Sequence, residues 1–110
     1  MEPLCACPQI TTLNVEADMG AEPLWCAVCG DNLDPYDFPF SSDLQAELTI
    51  WANDFGSWVD WETEQLIPGA QFTEVAHNQA GRMLTTKVQE TLGSNYQVKF
   101  IPSMMYQAND

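Results

Sequence analysis

Five apolar residues, Leu44, Leu48, Trp51, Phe55 and Trp58, follow one another at steps of four, three, four and three. Only a helix brings such positions onto one side, because 3.6 residues complete a turn. An amphipathic helix is therefore expected to open in "SSDLQAEL", with Ser42 as its cap and Gln45 three residues on in capping-box spacing. Ser41 is the competing cap. Gly56 costs a helix about 1 kcal/mol relative to Ala, so a break is expected there. A Pro-Gly turn in "IPGAQ" (67–71) leads to a second helix, expected over Thr73 to Leu92. In it Ala76, Ala80, Leu84, Val88 and Leu92 repeat every four residues, with Gly93 as C-cap. Ala76 and Ala80 beside Gly81 are small enough for close packing against another element.

Strand patterns flank the helices. "ITTLNVEAD" (10–18) is rich in β-branched residues, and "PLWCAV" suits a short second strand. In "NYQVKFI", Tyr96, Val98 and Phe100 alternate with Gln97 and Lys99, the mark of a strand with one buried face. "DNLDPYDFPF" is dense in turn residues and should be irregular. The last strand most simply pairs with the N-terminal strand or hairpin, with both helices on one face. The fold class is thus α+β, two helices packed on a short β-sheet in a single domain over residues 1–110. Residues 1–35 form its cysteine-bearing part, 41–101 the helix-helix-strand part, and 102–110 a tail expected to fray. With 110 residues and 45% apolar content, the chain can bury roughly two-thirds of its extended surface.

The cysteines Cys5, Cys7, Cys26 and Cys29 give the pattern C-x-C-x18-C-x2-C. Two close pairs of thiolates, joined by a chain long enough to fold back, suit a tetrahedral structural zinc site. Gly30, directly after the second pair, can take positive φ and turn backbone N–H groups toward the sulfurs. "CAVCGDNL" resembles the knuckle of zinc ribbons and rubredoxin-like sites, usually CPxCGxxL. Cys26, Cys29, Gly30 and Leu33 match it, and Ala27 stands where Pro is common. The resemblance covers one knuckle and implies zinc as cofactor. Redox catalysis is a weaker alternative, since Asp31 and Asp34 would raise a nearby thiol pKa. Two disulfides would need an oxidising compartment, and four unmetallated thiols remain a further possibility. Four cysteines close the coordination shell, which argues against a catalytic metal. Asp31, Asp34 and Asp37 lack the Gly and Glu of a calcium loop and suit solvated turns.

Charge limits the choice of partners. Residues 1–81 hold fourteen Asp and Glu and no Lys or Arg, while the whole chain has formal charge −13. Binding to nucleic acid rests on neutralising phosphates, so such an acidic chain is not expected to bind it, nor an anionic membrane surface. A basic protein partner is favoured, because complementary potentials steer encounter. No apolar run approaches the ~20 residues of a membrane span, and "MEPLCACPQI" lacks the features of a signal peptide. A cytoplasmic location is expected.

No nucleophile motif or phosphate-binding loop is present, so no enzyme is expected. His77, the sole histidine, is expected as a surface or partly buried polar residue of the second helix. "WVDWETE" (58–64) is more specific. Trp61, one helical turn on from Trp58 and set among Asp60, Glu62 and Glu64, suits contact with Lys and Arg through ion pairs and cation–π geometry, with Trp58 left to the core. In size and charge the chain is similar to bacterial immunity proteins and antitoxins that occlude basic nucleases. With the zinc expected from the cysteines, the reading is an acidic, zinc-stabilised module that binds a basic protein partner, of the immunity or antitoxin type. The competing expectation is a zinc-stabilised accessory subunit whose acidity is incidental.

Overall fold

The computed structural model describes residues 11–103. Thr12–Val15 forms β1, Leu24–Cys26 forms β2 and Asn32–Leu33 forms β3. After a 3-10 turn at Pro35–Asp37 come α1 (Ser42–Asn53), the short hairpin strands β4 (Val59–Asp60) and β5 (Gln65–Leu66), α2 (Ala70–Leu92) and β6 (Gln97–Phe100). The main sheet runs β3-β2-β1-β6. β1 pairs with β2 antiparallel and with β6 in parallel. Parallel neighbours require a crossover, and here everything between β1 and β6, both helices included, supplies it. The small α+β architecture with two helices on a short sheet is as expected.

Alternation decides which face is covered. Leu13 and Val15 of β1, Leu24 and Cys26 of β2 and Leu33 of β3 are all buried. Val98 and Phe100 stand opposite Leu13 and Val15 in register, so they extend the same face. Onto it pack Leu44, Leu48 and Trp51 from α1 and Leu84 and Val88 from α2, closed at one end by Phe38 and Phe40. On the other face the Trp25 indole N–H donates to the Glu16 carbonyl at 2.9 Å. Burial, with Asp18 nearby, raises the Glu16 pKa.

Three local expectations are corrected. The N-cap of α1 is Ser41, whose Oγ accepts from the Leu44 N–H at 3.1 Å, so Gln45 is not in a capping box. α1 stops at Asn53, three residues short of Gly56, which turns the chain with φ of 82°. Phe55 and Trp58 therefore leave the helix and pack with Val59, Leu66 and Ala70 in a second small cluster. "WVDWETE" is a hairpin rather than a helical turn, and Glu64 takes a left-handed φ of 57° at its tip. The chain beyond Ile101 is held as far as Ser103, whose N–H and C=O bond the Asn78 side chain and whose hydroxyl donates to Glu74. Residues 104–110 lie outside the described residues.

The face of α2 is the largest correction. A strict repeat of four overshoots a 3.6-residue turn by about 40° each step, so five such positions cannot share one side. Leu84 and Val88 reach the core, while Ala76 and Ala80 have rotated into solvent. Their place inside is taken by Ala70, Glu74, His77 and Gly81. Gly81 is where the close approach occurs. A Cβ built there would overlap the Phe100 ring and stand 2.8 Å from Trp51 Cζ2.

Candidate partner-binding surface

Asp60, Trp61, Glu62 and Glu64 come together on the tip of the β4–β5 hairpin, all exposed. Their roles differ. Asp60 Oδ1 accepts from the Glu62 N–H at 3.0 Å and the Thr63 N–H at 3.4 Å, so this carboxylate also builds the turn. Trp61 lies against Gly56 and donates its indole N–H to the Gly56 carbonyl at 3.2 Å, yet half its surface (51%) stays exposed. It is at once a prop for the hairpin and an accessible aromatic face. Glu62 and Glu64 have no such structural duty in the turn, which leaves their charges available to a partner.

Few cations offset the acids. Lys87 pairs with Glu47 across the two helices at 2.8 Å. The Arg82 guanidinium sits over the Phe100 ring, 5.4 Å from its centroid. Both are thus engaged within the fold, out of three Lys and Arg in the chain.

At the cysteine turn the structure shows the backbone bend that Gly30 allows. Gly30 takes φ of 81°, and its N–H returns to the Cys26 carbonyl at 2.9 Å. Cys26 is buried at the end of β2 and Cys29 is exposed at the turn. Cys5 and Cys7, the other expected ligands, lie outside the described residues. Among the described residues no group of three or more His, Cys, Asp or Glu could hold a metal ion. Asp34 serves a turn, as expected, its carboxylate accepting from the Tyr36 N–H at 2.9 Å.

His77 proves to be a buried structural group, 5% exposed. Its ring stacks on Trp51 with centroids 4.6 Å apart and planes 9° from parallel. Nε2 lies 3.1 Å from the Trp51 carbonyl. A carbonyl can only accept, so Nε2 carries the proton and caps one of the four carbonyls left open at the end of α1. In return the Trp51 indole N–H donates to the His77 carbonyl at 2.9 Å. Burial lowers the His77 pKa, against the opposing effects of the Trp51 carbonyl and of Asp54 and Glu74. The neutral imidazole therefore locks the two helices together.

Sequence reasoning missed one surface. The side of α2 turned away from the core carries Phe72, Val75 and Met83, all more than half exposed, beside Ile50 of α1. The drift of the four-residue repeat was the signal that could have placed Ala76 and Ala80 on this side.

The chain is a small two-layer α+β protein with an acidic hairpin and an exposed apolar helix face. The chain is a member of the family described as Serratia CdiI immunity protein-like, which matches residues 11–103. No curated protein matches the chain. No helix among the described residues is long and apolar enough to cross a membrane.

Proposed function

We propose that this chain is a non-enzymatic inhibitor that neutralises a basic toxin protein by binding it, with Asp60, Trp61, Glu62 and Glu64 in the contact. The observation that carries this is membership of an immunity-protein family in a chain with fourteen acids and no base in its first 81 residues. The first implies a toxin partner, and the second supports a cationic one, since complementary charge speeds encounter and rejects wrong partners. The same membership favours an inhibitor over an accessory subunit with incidental charge.

The proposal extends to zinc held by Cys5, Cys7, Cys26 and Cys29. It is supported by the positive φ of Gly30 and the return bond to Cys26. The proposed setting is the reducing cytoplasm, where four thiols stay available to a metal.

The test is the association kinetics of the chain with a basic toxin domain from its own source organism, measured over a range of salt. Glu62→Lys with Glu64→Lys is the informative variant, because Asp60 is needed for the turn. The association rate should fall steeply with salt in the wild type and be several-fold slower in the variant, with dissociation changed less. Association indifferent to salt and to both reversals would refute the acidic contact.

A further inference from the structure

The outward side of α2 is unlike the rest of this molecule. From Ala70 to Gly81 the titratable residues are Glu74 and His77, and both are buried. Three turns of exposed helix therefore carry no charge, in the part of the chain otherwise crowded with acids. If charge served solubility alone, an outer helix face is where it would be placed. Phe72, Ala76, Gln79 and Met83 instead succeed one another at steps of four, three and four, which returns them to one side. Phe72 is 73% exposed and Met83 65%. From one to the other spans about 16 Å of helix.

Beside Met83 the stripe opens into a groove between the two helices, about 330 Å³ in volume. Ile50, which is 69% exposed, and Ala80 line it with Met83, together with the buried Trp51 and Leu84. Asp54 and the Glu47–Lys87 pair also border it. An uncharged centre rich in aromatic and Met side chains with charge at the edge is the anatomy of a protein interface, where a few buried anchors carry most of the affinity.

We infer that this groove and the Phe72–Met83 stripe receive an apolar anchor of the toxin, flanked on the toxin by basic side chains that meet Asp54. The inference rests on the toxin-binding reading above and names the part of the surface that holds the complex together. Charge chooses the occupant. A second copy would bring another body of charge −13 against this face, whereas a cationic protein is drawn to it. The acidic hairpin then governs how fast the toxin arrives, and the groove governs how long it stays.

Met83→Asp and Ile50→Asp separate these roles, since both side chains are exposed and neither change removes core packing. Unchanged melting temperatures would verify the fold of each variant. Titrated against the same toxin domain, each should weaken Kd by about 30-fold, the size of a central anchor. The loss should appear as faster dissociation and persist at high salt, with the salt dependence of association left as in the wild type. Wild-type affinity in both variants, with toxin still bound, would overturn the groove and leave the inhibitor reading standing. No binding by the wild type would overturn both. Sedimentation showing a dimer that Met83→Asp converts to monomer would assign the face to a second copy and overturn the inference.

Discussion

Replacing His77 with alanine removes a ring that touches three other aromatics, with centroids 4.6 Å from Trp51, 5.2 Å from Trp58 and 6.0 Å from Phe55. It also strips the donor from the Trp51 carbonyl, an acceptor at the end of α1. A buried acceptor left without its partner costs about 1–3 kcal/mol, and the lost stack and cavity add at least about 1 kcal/mol. The sum, about 3 kcal/mol, should lower the melting temperature by roughly 10 °C in a domain of this size. His77→Gln, whose amide N–H can reach for the same carbonyl, should recover part of it. The pH dependence is the sharper signature. Above the ordinary histidine value of 6.5 both folded and unfolded chains hold His77 neutral. As pH falls through 6.5 the unfolded chain takes up a proton that the folded chain resists, because burial lowers the folded pKa. Stability therefore falls with pH below 6.5 until the lowered folded pKa is reached. Glu16, raised by burial and Asp18, works in the opposite sense over the carboxylate range. The quantity to measure is accordingly the difference between wild type and His77→Gln in urea unfolding at a series of pH values. A constant difference from pH 7.5 to 5, or an alanine variant as stable as the wild type, would refute the role given to His77.

Gly81→Ala gains about 1 kcal/mol of helix propensity but sets a methyl into Phe100 and Trp51, an overpacking that costs about 1–3 kcal/mol or more. Urea unfolding should show a net loss, and a stabilised variant would mean that Phe100 yields easily. Leu48→Ala and Leu84→Ala each truncate a buried leucine and should cost about 2–5 kcal/mol. Lys87→Ala, which removes an exposed ion pair, should cost less than about 1 kcal/mol by the same assay; equal losses at all three would contradict the packing described. Protein prepared without added metal should contain about one zinc per chain by elemental analysis, and chelation or Cys29→Ser should lower its melting temperature. Metal-free protein of unchanged stability would end the zinc proposal.

The fold was legible wherever one periodicity acted alone. Alternation in "NYQVKF" placed Val98 and Phe100 on the covered face of β6, and Leu44, Leu48 and Trp51 marked the buried side of α1. Errors arose where apolar spacing outlived the element that it described. Phe55 and Trp58 keep the helical step after the helix has ended, because a second cluster takes them up. The burial of Glu74 and His77 was hidden for another reason. Their partners, the Ser103 hydroxyl and the Trp51 carbonyl, come from distant chain or from the backbone, and neither is visible in a local pattern. The acidic cluster at 60–64 could be read as residues but not as a hairpin, since Asp60 makes the turn through its side chain. The exposed side of α2 is hidden from a four-residue repeat, which puts Ala76 and Ala80 on the packed face without their drift around the helix.

Neutralisation by stoichiometric binding can be read from a titration of toxin activity. The toxin domain, held at a concentration well above Kd, is mixed with increasing amounts of the chain and its residual activity recorded. Activity should fall linearly to zero at about one chain per toxin, with both proteins recovered intact as a complex. Full activity at several-fold excess of the chain would contradict it, and so would loss of activity at a small fraction of one equivalent, the mark of an enzyme.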